Sequence, residues 1–461
     1  MTDRDQVVAY LTQYGYVAPS DTEPGKGVAA SNELLQVAVA QFQELAAVPV
    51  TGELDDVTLE AMDRPRCGFP DRVPVALPGS ADSDEFNTSG TRWTQAIITY
   101  RIYNTSPDLD DGRQRQIVRE AFDRWSAVVP LLFVEVGADQ EGDIRIRFAA
   151  GAHNESHPLT VDPAFDGPGR VLAHAFFPPP NAADLAGDIH LDEDETWQDG
   201  VGGTGFDLLT VLVHEIGHSL GLRHTDVPNS TMNPFYPTPN VPAADDRAGI
   251  RQVYREHIWI ASLYRDLLSR RFDDTGLDGW VQYRLNGATI DAVVRGFCYS
   301  QEHSERIASQ LYFKLLDRAG SPQEVAGWAD LLRRGTSRQA VMIGFLASPE
   351  YQRKHSSAER FVESLYRRLL NRQPDPAGYV GWLDQMKRGA THRDVAWGFL
   401  YSEEYTRSLV NEQYVQFLRR TPDPTSWQAW ADRVRRGLAH QDLVTGLLAS
   451  DEYRNAVVSW W

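Results

Sequence analysis

Apolar and polar positions change rhythm three times along the chain, and each change predicts a different kind of structure. Over residues 1–72 the apolar positions recur at helical spacing, as Leu34, Val37, Phe42 and Leu45 do in SNELLQVAVAQFQEL. This predicts an all-α segment of short amphipathic helices. Residues 73–90 mix Pro, Gly, Ser and Asp without a period, which predicts an exposed linker. From residue 91 to 256 the pattern alternates between two periods. AIITYRIYN and DIRIRFAA alternate as strands do, while RQIVREAFDRWSAV between them has helical spacing. A mixed α/β domain is expected there.

The rest of the chain, 258–461, is a fourfold repeat, with copies at about 258–307, 308–356, 357–409 and 410–461. Trp280, Trp328, Trp382 and Trp430 are each followed at seven residues by Gly287, Gly335, Gly389 and Gly437. At sixteen residues come Gly296, Gly344, Gly398 and Gly446, at twenty a serine, and at twenty-two a glutamate. Ser321-Pro322, Asp375-Pro376 and Asp423-Pro424 have the form of a helix N-cap followed by proline. The first glycine suits a helix C-terminus, and the serine starts the next helix. An all-α array of stacked units with the tryptophans inside is expected. Cys298 stands where the other copies have Leu346, Leu400 and Leu448, which reads as core.

Composition narrows the function. A chain of 461 residues needs two to four cores, and its 42% hydrophobic and 24% charged residues are ordinary for a soluble protein. No stretch has the apolar length of a membrane span. The opening MTDRDQVVAY lacks the apolar centre of a secretory signal, so export needs another route or a leader outside this sequence. Two cysteines, Cys67 and Cys298, cannot build a disulfide framework. The net charge of −19 argues against nucleic acid as a partner. From residue 258 onward Lys+Arg number 27 against 24 Asp+Glu, so the excess acid lies before it, where it suits hard cations.

Seven of the twelve histidines fall between residues 153 and 224, and none comes earlier. Among them is HEIGHSLGLRH, residues 214–224. On a helix His214 and His218 lie one turn apart on one face, so both imidazoles can reach one metal ion. Glu215 sits beside them to take a proton from water, and Gly221 allows the turn that returns His224 as a third ligand. Three neutral nitrogens leave one position open for water, which marks a catalytic zinc site rather than a structural one. Surface histidines on a helix are the plain alternative; the third histidine at this spacing makes it a poor one.

With Met232 eight residues beyond His224, in STMNPFY, residues 1–256 resemble the matrixins, the matrix metalloproteinase family. The resemblance implies a metzincin-type catalytic domain, a twisted and mostly parallel sheet plus helices. It implies a zinc-dependent metalloendopeptidase with Glu215 catalytic, Met232 in a turn beneath the metal, and Pro234 and Tyr236 walling a specificity pocket. PRCGFPD, residues 65–71, resembles the cysteine switch of the family's propeptides. Cys67 would then fill the open zinc position and keep the enzyme latent, with Arg66 and Asp71 paired to brace the loop. Phe69 departs from the valine or asparagine usual there. A cut within roughly 72–91 should release the enzyme, since such linkers are preferred nicking sites.

FDGPGRVLAHAFFPPP and GDIHLDEDETW resemble the matrixin loop for structural metals. This implies His174 and His190 on a structural zinc, Asp166, Asp192 and Glu195 on calcium, and Asp143 and Asp188 at a second calcium site. The other two zinc ligands depart from the family's His-Gly-Asp. Counting five from Phe148 favours His153 and Glu155, with His157 and Asp162 in a following insertion as competitors. The repeats are similar to a bacterial family of unknown function found in secreted and cell-surface proteins. A secreted zymogen acting on protein or peptide substrate is therefore expected, extracellular or at the cell surface, with a targeting or adhesion array for a cell-surface or matrix ligand. A binding protein with a vestigial protease half, or a surface protein that uses calcium only to order its fold, would show no proteolysis once the propeptide is cut.

Overall fold

The computed structural model describes residues 4–18, 32–72, 88–153, 162–180 and 183–461. Its contacts divide the chain into two units, up to Ile258 and from Trp259 onward.

The first unit opens with three helices, α1 (Arg4–Gln13), α2 (Asn32–Leu45) and α3 (Asp56–Met62). They close on a core of Val7, Leu11, Tyr14, Ala38, Phe42 and Met62. A buried amide, Gln43, fixes the turn after α2: its Oε1 accepts from the N–H groups of Thr51 and Gly52, and its Nε2 donates to Thr58 Oγ1 at 2.7 Å. The strand β1 (Arg66–Cys67) follows.

The α/β part contains β2 (Ile97–Ile102), α4 (Asp111–Ser126), β3 (Leu132–Glu135), β4 (Ile144–Ala149), β5 (Val171–Ala175), β6 (Ile189–Asp192), the short pair β7 (Trp197–Gln198) and β8 (Phe206–Asp207), α5 (Leu208–Ser219) and α6 (Ala244–Val253). The main sheet has the order β1-β5-β6-β4-β2-β3. All pairings are parallel except β5 against β6. The alternation read as strands faces Ile98, Tyr100 and Ile102 inward on β2, and Ile144, Ile146 and Phe148 on β4. Tyr100 stacks on Phe122 of α4 at 4.3 Å between ring centroids.

Helix α5 is buried along nearly its whole length and is tied in place by indoles. Trp125 donates to Val213 O at 2.9 Å and Trp93 to Ser219 O at 2.8 Å. Asp207 caps its N-terminus. After it the chain turns at Gly221, whose φ of +107° and 2.5 Å approach of an added Cβ to Thr91 O leave no room for a side chain.

The second unit is helical: the end of α7 (Arg255–Leu263), then α8 (Asp274–Leu285), α9 (Ile290–Cys298), α10 (Gln301–Leu316), α11 (Pro322–Arg333), α12 (Arg338–Leu346), α13 (Pro349–Lys354), α14 (Ala358–Leu369), α15 (Pro376–Lys387), α16 (His392–Leu400), α17 (Glu403–Leu418), α18 (Pro424–Arg435), α19 (His440–Leu448) and α20 (Asp451–Trp460). Each copy supplies a tryptophan-bearing helix (α8, α11, α15, α18) and a short second helix (α9, α12, α16, α19). The glycines seven residues after each tryptophan have φ between +92° and +103°, the left-handed stop of a helix.

Two expectations need correction. The tryptophans are half-buried rather than internal, because each indole lies across the second glycine of its copy. A Cβ added at Gly296, Gly344, Gly398 or Gly446 would come within 2.6 Å of a ring atom. Nor do the copies contact only their neighbours, since α9 packs on α19 and α12 on both α16 and α19. The unit is a closed cluster.

A fixed position absent from the pattern above completes each copy. Arg270, Arg318, Arg372 and Arg420, ten residues before each tryptophan, chelate Glu302, Glu350, Glu404 and Glu452 through two nitrogens each. Each guanidinium also lies over a tyrosine ring, at 4.7 to 5.2 Å from its centroid. The repeated glutamate is thus an ion-pair partner as well as a helix-start residue.

Candidate metal centre and its blocking segment

Helix α5 presents His214 and His218 on one face, and the turn at Gly221 brings His224 back to them. His224 Nε2 is 3.3 Å from His214 Nε2 and 3.1 Å from His218 Nε2. The other nitrogen of each ring is engaged: Nδ1 of His214 with Thr231 O at 2.7 Å, of His218 with Leu222 O at 2.7 Å, and of His224 with Asp71 Oδ1 at 2.8 Å. Those acceptors fix each tautomer with the Nε2 lone pair inward, the arrangement a metal-binding imidazole needs. Burial keeps all three rings neutral, pushing His214 down to about 3 and His218 well below the ordinary histidine value.

Cys67 completes the set, its Sγ within 4.8 Å of the three ring nitrogens. Burial raises the thiol well above its ordinary pKa, with Glu215 adding to the effect. Glu215, fully buried, is likewise pushed up to about 8 by burial, and its Oε2 has no partner. A thiolate in this pocket requires a cation beside it. Three neutral nitrogens and one sulfur fit zinc in tetrahedral coordination, with the unsatisfied carboxylate of Glu215 beside them.

Met232 packs directly beneath α5. A Cβ added at Gly217 would lie 2.3 Å from its Sδ, so that glycine admits the sulfur. The turn around it is held by Asp246 of α6, which accepts from Thr231 N–H at 2.8 Å, Met232 N–H at 3.2 Å and Ala243 N–H at 2.7 Å, and from the Ser230 hydroxyl. Sequence reasoning missed Asp246: its role depends on a fold-back fourteen residues long, and a lone aspartate at a helix start reads as a cap.

Residues 65–68 lie between two walls. Arg66 N–H donates to Arg170 O and Gly68 N–H to Ala173 O, both at 2.7 Å, along β5. On the other side Cys67 N–H donates to Pro234 O and Tyr236 N–H to Pro65 O, both at 2.9 Å. Arg66 and Asp71 form a buried ion pair. The Arg66 guanidinium lies 3.6 Å from the Tyr14 ring centroid and donates to the phenol oxygen of Tyr10 at 2.8 Å. Phe69 stacks on His218 at 4.5 Å and meets Phe177 at 4.6 Å, roofing the site. A valine or asparagine could not supply that ring contact. Beside the segment a pocket is lined by Leu172, Val211, Pro234, Tyr236 and Thr238.

A second group of ligand atoms unites His153, Asp162, His174 and His190. Asp162 Oδ1 is 3.1 Å from His153 Nε2, 3.0 Å from His174 Nε2 and 3.2 Å from His190 Nδ1. The latter two nitrogens are themselves 3.2 Å apart, close packing that a shared cation explains. Among the described residues the carboxylate in this group is that of Asp162, the competitor to Glu155. Glu155, His157 and the linker residues 73–87 lie outside the described residues. The insertion hid Asp162 from counting, because only the folded chain brings position 162 back over His153.

The expected calcium ligands behave differently. Burial pushes Asp192 up to about 6 and Glu195 up to about 7, with Asp166 and Asp194 adding repulsion, a strain that a cation relieves. Asp143 and Asp188 accept hydrogen bonds from the protein. Asp188 accepts from Arg145 N–H and its guanidinium, at 3.0 and 2.7 Å. Asp143 accepts from Thr99 N–H at 2.7 Å and from Gln95 at 3.3 Å. These bonds fix the two carboxylates in place and leave them lone pairs that a cation could use.

Comparison with known proteins agrees with this geometry. Residues 92–255 match the matrixin peptidase family, residues 1–62 the family described as "Putative peptidoglycan binding domain", and residues 303–355 and 345–409 a domain of unknown function (DUF4214). Matrix metalloproteinase-16 of Mus musculus is 39% identical over 259 residues, covering 54% of this chain and 41% of that protein. Matrix metalloproteinase-25 of Mus musculus is 39% identical over 257 residues, 54% of this chain and 40% of the relative. Matrix metalloproteinase-2 of Drosophila melanogaster is 35% identical over 275 residues, 55% and 34%. The chain spans about two fifths of the length of these relatives. Residues 92–255 are thus similar to the matrixin peptidases, and they lie between residues that match a peptidoglycan-binding-domain family and repeats that match a domain of unknown function.

Proposed function

We propose that the chain is a latent zinc endopeptidase, exported to the cell exterior or surface, that hydrolyses internal peptide bonds once residues 65–71 leave the cleft. The observation that carries this reading is that Cys67 Sγ shares one ligand set with His214, His218 and His224. The three histidines would hold the ion, and zinc, when bound, supplies a Lewis acid and lowers the pKa of water to about 7. Glu215, poised by burial with one oxygen free, takes a proton from the attacking water and delivers it to the leaving amine. The substrate strand would use the β5 edge and the 234–236 wall, the hydrogen-bonding groups that residues 65–68 occupy. Leu172, Val211 and Tyr236 give the adjoining pocket an apolar lining suited to an apolar side chain.

The protein substrate follows from that chemistry, and the repeats would serve as a targeting or adhesion array. No helix among the described residues is long and apolar enough to cross a membrane. The test treats the full chain and a Glu215→Ala variant with a mercurial thiol reagent or trypsin and assays casein. Treated wild type should cleave and Glu215→Ala should not. A wild type that stays inert with zinc bound and Cys67 displaced would overturn the proposal.

A further inference from the structure

The second unit contains a cationic centre that its own residues leave unbalanced. Where α12 and α19 begin, Arg338 Nη1 lies 3.5 Å from His440 Nε2, and Gln441 Nε2 is 3.4 Å from Thr336 O. Arg306 of α10 faces the same place: burial and the charge of Arg338 hold it below the usual guanidinium range. It donates to Ser269 Oγ at 2.7 Å. Among the described residues neither guanidinium is in an ion pair, although each of the four repeated arginines has its glutamate. The nearby Glu412 is exposed and pairs with neither.

Unmet hydrogen bonds gather at this centre. Arg306 Nε, Arg338 Nε, His440 Nδ1 and Gln441 Oε1 are buried without a partner, as are both amide atoms of Gln339, the residue after Arg338 in α12. His440, Gln441 and Gln339 are only 6%, 2% and 1% exposed. Native proteins leave few such groups, and a cluster of them signals an ion or water that completes the site. The backbone points the same way. Thr289, Ser337 and Thr391 cap α9, α12 and α16, but the equivalent Ala439 gives α19 no side-chain cap. The positive end of α19 therefore lies beside Arg338 without a capping side chain, and the acid of its first turn, Asp442, pairs with Arg295.

We propose that this centre binds a small oxyanion, a carboxylate or phosphate-type group, between Arg338, Arg306, His440 and the N-terminus of α19. Guanidinium groups and a helix N-terminus favour a planar or tetrahedral oxyanion over a halide, because several donors can each take one oxygen. Arg338 is half-buried, so an anion can reach it without unfolding the unit.

The test titrates the full chain calorimetrically with inorganic phosphate, sulfate and acetate, at ionic strength held constant with sodium chloride. One saturable site for at least one of them is expected, with affinity reduced at least tenfold in Arg338→Gln and unchanged in the exposed control Arg334→Gln. Preference for phosphate or sulfate over acetate assigns a dianion, and the reverse a carboxylate. If Arg338→Gln does not give the helical spectrum of the parent, Arg306→Gln takes its place. No saturable heat from any of the three, or a folded Arg338→Gln that binds as tightly as the parent, overturns the proposal.

Discussion

Nδ1 of His224 donates to Oδ1 of Asp71 at 2.8 Å, so a residue four positions beyond Cys67 orients a ring of the metal centre that Cys67 adjoins. The same carboxylate is the partner of Arg66. Arg66 raises the anionic character of Asp71, holding it below the ordinary carboxylate pKa despite its burial. One carboxylate therefore links the guanidinium caged by Tyr14 to a zinc ligand.

Replacing Asp71 by Asn should loosen latency without touching Cys67. The change leaves Arg66 buried and uncompensated, a loss on the order of 3–5 kcal/mol for a broken buried pair. Uncut Asp71→Asn protein should show peptidase activity that the uncut parent lacks, read with a quenched peptide. Equal silence of both would mean that the Cys67 contact alone holds the segment.

Replacing Cys67 by Ser removes a strong zinc ligand while preserving size. The variant should hydrolyse peptide without thiol reagent or proteolysis, although Arg66 and Asp71 still hold the loop and some inhibition should remain. A variant as silent as the parent would contradict the switch.

The second metal group separates two carboxylates. Asp162→Asn should lower the zinc content of the purified chain by one ion, measured by elemental analysis, because Asp162 Oδ1 meets all three histidines. Glu155→Gln should leave it unchanged. The opposite pattern would return the site to Glu155.

Gly398→Ala should destabilise the second unit by about 1–3 kcal/mol, the usual cost of an overpacked position, since its Cβ would sit 2.4 Å from the Trp382 ring. Glu404→Gln should cost less, about 1 kcal/mol or below, because the Arg372–Glu404 pair is 36% and 47% exposed. Urea denaturation of both variants compares them. A larger loss for Glu404→Gln would mean that the ion pairs, and not the indole-on-glycine contacts, hold the copies together.

What was legible in the chain depended on distance along it. His214, Glu215 and His218 could be read together because one helical turn joins them, and His224 because Gly221 forces the return. The indole contacts left a trace as glycines at a constant spacing. Arg270 and Glu302 are thirty-two residues apart, yet the pair was just as visible once the copies were aligned on the tryptophans; the arginine was passed over because a charge ten residues upstream reads as solvated surface. Asp246 leaves no such trace, and Asp162 shows in the sequence only as a competitor to Glu155. Each reaches its partners through a fold-back of variable length, and no local period records where the chain returns. Closure of the four copies was illegible for a related reason: a repeat pattern states what each copy is, and the packing of α9 on α19 depends on the accumulated rotation between copies.

On the proposed function, Cys67 and the reacting water compete for one position on a metal held by His214, His218 and His224. Substituting cobalt for zinc in the uncut chain makes that position visible, because a thiolate ligand produces a sulfur-to-metal charge-transfer absorption. The account predicts that the band is present in the latent protein, absent in Cys67→Ser, and lost in step with the appearance of peptidase activity as the segment is displaced. A latent chain that binds cobalt at these histidines without the band, or that gains activity while the band persists, would contradict it.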